Sequence, residues 1–506
     1  MQDRYYLNHR DCVIEDEEQS RIMYRLMELL PHKSMYHTWD DIGMATLVKD
    51  IYNEKIRFCP NDGVWYIYDG SRWERQSDTG IISDMLQTAL NLLLLYCKEI
   101  EYDNSSEENE DSEIIENYSK YIKSIRRDVA MRHIIEVVKT MVRMPSKEMD
   151  TNPYLLNTPR CTYDLRTGDI VEDAIDYNIT MKTSCNLPTK YDKKCNRWYD
   201  FIDSIMSGDK EKAKFLQRAM GYSLFGVNRE ECMFIAYGKT RSGKGTLIKT
   251  IESVLGEEYM NNAPVELICE PKHGKKTDFN APQPTLARLV GTRIVTMSEA
   301  PNDVRLDAAA MKAMTGRDTL VTRGLYESSF SFTPQFTLWL QTNHLPAVTD
   351  DTVFTSDRIW VIEFNEHFDE NSRDKNLKEI FNDPENKPTI LKWLIDGCLD
   401  YMKNGLNPPE CVRQATNNYK ALHDRIGNFI TDCCVVGEDK KIVRGTLYSA
   451  YCRWCLKSEN RFRALGSTTF FNEIAVRGYP IKKASEWYVY GLDVSNEQPK
   501  GKIELV

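Results

Sequence analysis

Residues 238–246 form a glycine-rich run in which a lysine, Lys244, directly follows the second glycine. The apolar run 233–237 before it predicts a buried strand, and the apolar spacing after it predicts a helix. Glycines let backbone N–H groups close around an anion, and the start of a helix adds positive potential. The alternative is a glycine turn before a surface helix. The combination favours a polyphosphate site with Lys244 on the β- and γ-phosphates.

The position after the lysine departs from the usual pattern of such loops. Gly245 stands where a serine or threonine hydroxyl normally holds Mg²⁺, so Thr246 or water must supply that ligand. ATP and Mg²⁺ are the ligands that we expect here. The candidate nucleotide-binding residues are Gly238, Arg241, Ser242, Gly243, Lys244, Gly245 and Thr246.

Two further apolar runs end in polar side chains that suit phosphate hydrolysis. Residues 289–299 predict a strand that ends in Glu299, which can orient the attacking water or hold Mg²⁺ through water. An acid at a strand end is, taken alone, more often a solvated terminus, and Ser298 before it weakens the case for direct carboxylate ligation. Residues 336–342 predict a strand followed by Asn343, whose amide can hold the lytic water or contact the γ-phosphate.

One arginine after these strands has a position that suits catalysis between subunits. Arg358 precedes the apolar run 359–362. An arginine supplied in trans to a neighbour's ATP stabilises the charge of the transition state. The alternative for Arg358 alone is an ordinary ion pair.

The chain divides into three regions that differ in charge and in the pattern of apolar residues, and these regions predict three domains. We expect a mixed, mostly helical domain over 1–200, with an acidic insertion near 101–116. Over 201–400, short apolar runs alternate with helical segments, which is typical of a mostly parallel sheet covered on both faces. The sequence 404–409 breaks the helical pattern, so a linker and a last module occupy 401–506.

Composition excludes several classes of protein. The chain has 506 residues, of which 41% are hydrophobic and 28% charged, as in folded globular proteins. Its most apolar helical run, residues 92–97, is too short for a membrane span, and no export signal is visible, so we expect a cytoplasmic protein without membrane partners. The net charge of −10 means that nucleic-acid contacts require a local basic surface.

These segments together strongly resemble superfamily 3 helicases, specifically the helicase part of phage and plasmid primase-helicases and the poxvirus primase-like NTPases. The resemblance covers most of the chain from about Asp40. It is carried by residues 298–301, 311–323, 334–346 and 357–358, and outside the ATPase region by 69–73 and 164–168.

The resemblance implies an AAA+-like P-loop ATPase core in a homo-hexameric ring that hydrolyses ATP and moves 3′ to 5′ on one DNA strand. Two positions depart from the family pattern. Ser242 stands where asparagine is common, and Arg317 stands where a small residue is common. The Lys-Gly form of the loop occurs within the family, so Gly245 does not indicate an inactive site.

The segment 319–332 alternates in a way that predicts a β-hairpin. In related ring helicases a hairpin at this point projects into the central channel, which makes Lys312, Arg323 and Tyr326 candidates for DNA backbone charge and base stacking. The alternative is a hairpin packed within the subunit, and Lys312 can instead serve nucleotide or inter-subunit contacts.

The last module predicts a winged-helix-like domain. A helix over 446–455, a second helix over 468–476 capped by Ser467, and a strand at 487–490 fit that reading. Residues 441–490 hold nine lysines and arginines against three acids, the charge expected of a DNA-binding surface, although a protein-docking module is the alternative. The candidate DNA contacts are Arg461, Arg463, Arg477, Lys482 and Lys483.

The function that these features favour is an ATP-dependent DNA helicase that replicates a phage, prophage or plasmid-like element. It would act on single-stranded and forked DNA. The alternative is a replication initiator or DNA-binding ring that uses ATP as an assembly switch without processive unwinding. Only about 40 residues precede the resemblance, so a separate primase and replisome proteins are the expected partners.

Overall fold

The computed structural model describes most of the chain, and its residues divide into two compact units. One unit comprises Met1–Asp164 and Asp169–Asn186, and the other comprises Leu165–Gly168 and Leu187–Val506. The described residues are 4–10, 12–52, 54–78, 80–103, 110–171, 174–189, 195–270, 284–298, 305–323, 330–348, 357–370, 374–457 and 464–495.

The first unit combines five helices with short antiparallel strands. Its helices are α1 (Glu17–Leu29), α2 (Asp41–Tyr52), α3 (Ile81–Asp103), α4 (Glu110–Ile125) and α5 (Asp128–Met141). Its strands are β1 (Tyr6–Leu7), β2 (Cys12–Val13), β3 (Ile56–Cys59), β4 (Val64–Tyr68), β5 (Trp73–Arg75), β6 (Leu155–Asn157), β7 (Thr162–Asp164) and β8 (Ile170–Val171). Strands β3, β4 and β5 form one sheet, and β6, β7 and β8 form another.

Local sequence explains the turn between β4 and β5, which lies in one of the segments that carry the family resemblance. One carboxylate oxygen of Asp69 accepts hydrogen bonds from the backbone N–H groups of Ser71 and Arg72, at 2.8 and 2.9 Å. Lys182 forms an ion pair with the same carboxylate. These contacts and hydrogen bonds hold the pKa of Asp69 well below its usual range, although burial alone would raise it. The motif therefore shapes a hairpin turn.

The acidic run 101–116 belongs largely to helices. Its first residues end α3 and its last residues begin α4, while 104–109 lie outside the described residues. Leu92, Leu93 and Tyr96 of α3 are fully buried, as expected of a core helix. Within the ranges given above, no helix has the length and apolar character to cross a membrane.

The second unit is built around a five-stranded parallel sheet. The strands of this part of the unit are β9 (Met233–Tyr237), β10 (Met260–Asn262), β11 (Ile294–Ser298), β12 (Arg305–Leu306), β13 (Leu320–Thr322), β14 (Phe330–Phe332), β15 (Thr337–Thr342), β16 (Ala347–Val348) and β17 (Ile359–Glu363). Five of them form the parallel sheet, whereas β12 pairs with β16 and β13 pairs with β14. Its helices up to this point are α6 (Asn196–Ile205), α7 (Lys210–Tyr222), α8 (Lys244–Leu255), α9 (Pro284–Ala287) and α10 (Ala308–Thr315). Six further helices and three strands of the described residues follow in the chain and are given below with their packing.

The sheet has the order β10, β11, β15, β9, β17, and all neighbouring pairs are parallel. Both faces are buried. Met233 and Ile235 face one hydrophobic core, whereas Phe234 stacks on Trp339 with ring centroids 4.6 Å apart on the other face. The predicted parallel sheet covered on both faces is confirmed.

Helices α11 (Leu377–Asn382), α12 (Lys387–Asn404) and α13 (Glu410–His423) continue the unit after the sheet. Ala415 and Tyr419 of α13 pack into the same core as Met233. On the other side, Gln217 of α7 donates a hydrogen bond to the Trp393 carbonyl of α12 at 2.9 Å. The sheet is therefore held between helices that precede and follow it in the chain.

The last elements are α14 (Arg425–Cys433), β18 (Cys434–Val443), α15 (Arg444–Lys457), α16 (Ser467–Val476), β19 (Ile481–Lys483) and β20 (Trp487–Val494). The strands form an antiparallel sheet in the order β18, β20, β19, and the helices pack around Phe429, Tyr451 and Phe470. Both predicted helices and the strand are confirmed. The prediction that Ser467 caps the second helix is wrong, because Gly466 occupies the cap position and Ser467 is the first helical residue.

Candidate functional site

The glycine-rich loop lies at the carboxyl end of β9, and α8 begins at Lys244. Gly243, the residue before the helix, has φ of 91°, which a residue with a Cβ rarely adopts. The predicted strand, loop and helix are therefore all present. β9 lies between β15 and β17, so the loop follows an interior strand and opens at the carboxyl ends of the parallel strands, where open α/β sheets bind ligands.

Two glycines of the loop are required by close packing. A Cβ at Gly238 would lie 2.3 Å from the Phe364 carbonyl oxygen, and one at Gly243 would lie 2.4 Å from Cγ2 of Ile205. A Cβ at Gly245 would meet nothing within 4 Å. The first two glycines hold the loop against its neighbours, whereas the site of Gly245 has room for a side chain.

Lys244 is buried and its ammonium group is turned back into the loop. Its Nζ donates hydrogen bonds to the Gly238 carbonyl at 2.6 Å, to the Lys239 carbonyl at 3.0 Å and to Ser242 Oγ at 3.0 Å. Burial lowers the pKa of Lys244 below its ordinary value. All of these partners are uncharged oxygens, so an anion has a large electrostatic advantage over them as a partner for this cation.

Asn343 meets Lys244 at the same edge of the sheet. It follows β15, and its Oδ1 accepts a hydrogen bond from Lys244 Nζ at 3.2 Å. Its Nδ2 lies 3.4 Å from Oγ1 of Thr240 in the loop. The structure thus brings together two residues that the sequence separately singled out, and the Asn343 amide joins the loop to the neighbouring strand.

The predicted carboxylate Glu299 lies outside the described residues, but the strand before it is described. β11 ends at Ser298, which pairs with Gln341, two residues before Asn343. Ser298 and Thr246 both line the cavity beside Lys244. Their hydroxyl oxygens suit Mg²⁺, which prefers oxygen ligands. Among the described residues, no group of three or more His, Cys, Asp or Glu side chains is arranged to hold a metal.

A cavity of about 610 Å³ surrounds the loop, and the sequence predicted only part of its wall. Polar or aromatic residues at helical spacing on one face of α6 form the opposite wall. These are Arg197, Asp200, Phe201 and Ser204. Residues after β17 complete it, namely Phe368, Asp374, Lys375, Leu377 and Lys378. The volume is ample for a nucleotide, since ligand pockets commonly measure roughly 300–1,000 Å³.

The cavity is cationic although the protein is acidic. Its lining contains the basic residues Arg197, Arg241, Lys244, Lys249, Lys375 and Lys378, against the acids Asp200 and Asp374. Arg197 and Asp374 form an ion pair across the segments that line it. The helical spacing of these residues in the sequence indicates that they share one face of α6. Nothing in the local sequence indicates that this face lies beside the loop.

Arg358 lies at the other edge of the sheet. It precedes β17, whereas the loop follows the carboxyl end of the adjacent strand β9. Five paired residues separate the two edges, a span of about 16 Å at the usual rise of a strand. The Arg358 guanidinium forms an ion pair with Glu231 at 2.8 Å. It is therefore remote from the loop of its own subunit.

The predicted hairpin is confirmed by the antiparallel pairing of β13 with β14. Lys312 lies on α10 and Arg323 directly follows β13; both are partly exposed. Tyr326 lies outside the described residues, as do the two basic residues Arg461 and Arg463.

The remaining candidate DNA contacts lie in the last module and differ in environment. Arg477 is engaged by two carboxylates, Asp424 at 2.7 Å and Glu473, and its side chain is 24% exposed. Lys482 and Lys483 are exposed on β19. Lys482 Nζ lies 5.9 Å from the ring centre of Tyr490. The two lysines are available to a large anionic partner, whereas Arg477 is occupied within the module.

With this parallel sheet, the second unit has an α/β architecture, and a cationic cavity surrounds the glycine-rich loop at the carboxyl ends of its strands. Comparison with known proteins relates it to viral replication proteins. The family model described as "D5 N terminal like" matches residues 45–207. "Putative helicase L207/L206" of Acanthamoeba polyphaga mimivirus is 25% identical over 77% of this chain and 43% of its own length. "Primase D5" of fowlpox virus is 24% identical over 47% of this chain and 30% of its own length.

A solved structure, the apo C-terminal region of NrS-1, aligns over 90% of this chain and 99% of its own, with 12% identity and a TM-score of 0.46. The chain spans less than half the length of the mimivirus and fowlpox relatives. The family match and these viral relatives confirm the resemblance to superfamily 3 helicases of the primase-helicase type.

Proposed function

We propose that the chain is an ATP-dependent DNA helicase that works in the replication of a DNA element. The observation that carries the proposal is the hydrogen bond of 3.2 Å between Lys244 Nζ and Asn343 Oδ1, beside a glycine-rich loop at the carboxyl edge of a parallel sheet. The proposed core is an AAA+-like P-loop ATPase. The relatives come from viruses, so a viral element joins the phage, prophage and plasmid-like elements that the sequence suggested.

In the proposed site the loop amides and Lys244 bind the phosphates of ATP, and Asn343 contacts the γ-phosphate or the attacking water. Mg²⁺, when bound, supplies positive charge to the terminal phosphates. Thr246 would supply a hydroxyl oxygen to hold it, and Glu299 would hold it through water. Glu299 also orients the attacking water.

The proposed helicase is a ring of identical subunits, with six as the expected number. The position of Arg358 supports the proposed ring, because this residue is too far from the loop of its own subunit to act there. In a ring, Arg358 would serve the ATP of an adjacent copy. Lys312, Arg323 and Tyr326 would contact the DNA strand in the channel. The last module, as a winged-helix-like domain, would bind duplex DNA through Lys482 and Lys483, and Arg461 and Arg463 remain candidate contacts from the sequence.

The proposed partners are single-stranded and forked DNA, a separate primase and other replisome proteins, in the cytoplasm of a host cell. A replication initiator that uses ATP only as an assembly switch is the competing function. It predicts ATP binding and ring assembly on DNA without sustained strand separation.

Strand displacement on forked DNA with a 3′ tail tests the proposal. We expect ATP-dependent displacement by the wild-type protein, loss of ATP binding in Lys244→Ala, and retained binding without turnover in Glu299→Gln. Assembly on DNA without displacement would favour the initiator. A folded protein that binds no nucleoside triphosphate would overturn both functions.

The role of Arg358 in trans has its own test. Arg358→Ala and Lys244→Ala subunits are each expected to be inactive alone. In mixed rings, an intact Arg358 can face an intact loop at some interfaces, so part of the turnover should return. No recovery in verified mixed rings would contradict the trans role.

A further inference from the structure

An ionic cluster lies at the amino edge of the sheet, opposite the loop. Glu231 lies two residues before β9, and Arg358 lies immediately before β17. Arg358 Nη2 donates to Glu231 Oε2 at 2.8 Å, and its Nη1 donates to Thr315 Oγ1 at 3.1 Å and to the Glu231 carbonyl at 3.4 Å. Within the described part of the chain these bonds use three of the five guanidinium N–H donors, which leaves two for another acceptor.

The backbone on both sides of this ion pair is held in an unusual conformation. Glu231 has φ of 47° and Asp357, next to Arg358, has φ of 51°. Residues with a Cβ adopt the left-handed region at a cost that the surrounding structure must offset. One member of the ion pair, Glu231, and the residue before the other member, Asp357, thus both have this conformation, and they lie just before neighbouring strands. Such strain is concentrated at sites where side-chain placement matters for function.

A second arginine shares the same carboxylate and accounts for a departure from the family pattern. Arg317 Nε lies 3.6 Å from Glu231 Oε1. Its guanidinium also donates to the carbonyls of Asn228 at 3.0 Å and Arg229 at 2.9 Å. Arg317 therefore fixes the turn that leads to Glu231. Arg317, which departs from the family pattern, thus supports the Glu231 carboxylate that holds Arg358.

The cluster also connects to the segment that carries the hairpin. Thr315, which accepts a hydrogen bond from Arg358, is the last residue of α10 and donates to the Met311 carbonyl at 2.8 Å. Lys312 lies on the same helix, and β13 begins five residues after Thr315. A displacement of α10 would therefore change the placement of the Arg358 guanidinium.

We propose that Glu231 is a positioning residue for Arg358. Its carboxylate holds the guanidinium at the amino edge so that the two remaining N–H donors are presented to a phosphate oxygen of a nucleotide bound by an adjacent copy. The inference rests on the proposed function, and in particular on Arg358 acting in trans. The competing role for Glu231 is structural, in which the ion pair only ties the start of β9 to the start of β17.

The test compares Glu231→Gln, Glu231→Asp and the matched control Glu230→Gln in DNA-stimulated ATP hydrolysis. Glu230 is the adjacent acid, and its carboxylate accepts from the Tyr401 hydroxyl at 2.6 Å instead of from Arg358. We expect Glu231→Gln to lower kcat roughly tenfold to a hundredfold, as misplacement of a reacting group does. The KM for ATP should be unchanged, because the loop that binds ATP is unaltered and the arginine stabilises the charge of the transition state. Glu231→Asp should recover part of kcat, and Glu230→Gln should match the wild type.

Mixed rings separate positioning from a structural role. A Lys244→Ala subunit retains Glu231 and Arg358 and can serve the intact loop of a Glu231→Gln neighbour, so mixing should restore part of the turnover. Wild-type kcat in Glu231→Gln, or a loss that mixing does not restore, would overturn the inference while leaving the ATPase proposal intact. A wild-type protein that hydrolyses no ATP would overturn the proposed function, and this inference with it.

Discussion

Lys244 and Asn343 are 99 residues apart in the chain, and the Lys244 ammonium donates a hydrogen bond to the Asn343 amide oxygen at 3.2 Å. The first residue begins α8 after the loop and the second follows β15. β15 and β9 are neighbouring parallel strands, so both residues lie at the same edge of the sheet. A phosphate held by the loop would meet both side chains, one as a cation and the other as a neutral hydrogen-bond donor.

The first prediction separates binding from turnover at this pair. Lys244→Ala removes the cation, and we expect ATP binding to be lost. Asn343→Ala removes only a neutral amide, so binding should persist while kcat falls by about 10²-fold, as for the loss of one oriented donor. Nucleotide affinity and steady-state hydrolysis measure the two effects. Wild-type turnover in Asn343→Ala would argue against a role in hydrolysis.

The second prediction concerns the glycines of the loop. Gly238→Ala places a methyl group against the Phe364 carbonyl, whose oxygen would lie 2.3 Å from the new Cβ, so the loop must move. Gly245→Ala places its methyl group in open space. We expect weaker nucleotide binding and a lower melting temperature for Gly238→Ala only.

Gly245→Ser is the informative companion to that pair. The hydroxyl would lie where other loops of this type hold Mg²⁺. Because the site has room, the variant should fold and retain ATP binding, and its requirement for Mg²⁺ should shift to lower concentration. Equal damage from Gly238→Ala and Gly245→Ala would contradict the packing argument.

The third prediction concerns the basic surface of the last module. Lys482 and Lys483 are exposed, so replacing both with glutamate should weaken duplex binding and leave ATP hydrolysis largely unchanged. Phosphate contacts also set the salt dependence of binding. Neutralising each lysine as glutamine should lower the slope of log affinity against log salt by about one.

Arg477→Gln serves as the contrasting variant for that surface. Its guanidinium is held by Asp424 and Glu473. Its loss should lower the melting temperature and leave the salt slope close to that of the wild type. If the lysine variants reduce hydrolysis as much as duplex binding, a separate DNA contact on β19 is excluded.

The elements that the sequence predicted correctly are those that are specified by local residue types. The strand, glycine loop and helix around Lys244 depend on residues within about two dozen positions, and so does the β13–β14 hairpin. Asn343 could be placed because parallel strands end at a common edge. The cap of α16 was assigned to Ser467 from its preference for that position, but Gly466 takes the cap conformation with no side-chain hydrogen bond.

The features that the sequence did not predict depend on long-range packing. Arg358 and Glu231 are separated by 127 residues, and no local pattern pairs them. The wall that α6 contributes to the cavity likewise depends on long-range packing, since a Cβ at Gly243 would lie 2.4 Å from Ile205 and 3.6 Å from Phe201 of α6. The sequence shows which residue types are present in the ion pair and in the cavity wall. Their partners are determined only by the packing of distant segments against the sheet.

The last prediction concerns pH and the first unit. Glu99 of α3 is buried and accepts hydrogen bonds from the backbone N–H groups of Asn8 at 2.8 Å and His9 at 3.0 Å, and it contacts the His9 ring. Burial raises the pKa of this carboxyl, but the hydrogen bonds from His9 and Asn8 prevail and hold it below its ordinary value of 4.5. The ionised form therefore stabilises the fold above pH 4.5, and that stabilisation is lost as the pH falls through the lower, folded-state pKa.

Glu99→Gln should remove this part of the pH dependence and destabilise the first unit at pH 7 by about 1–3 kcal/mol, because it weakens buried hydrogen bonds to a charged group. Urea unfolding at pH 7 and pH 4, followed by fluorescence, measures both effects. Glu28→Gln is the matched control, since Glu28 is 67% exposed and pairs only with Arg25 among the described residues. If Glu99→Gln and the wild type lose the same stability between the two pH values, Glu99 does not anchor the segment around His9 through its charge.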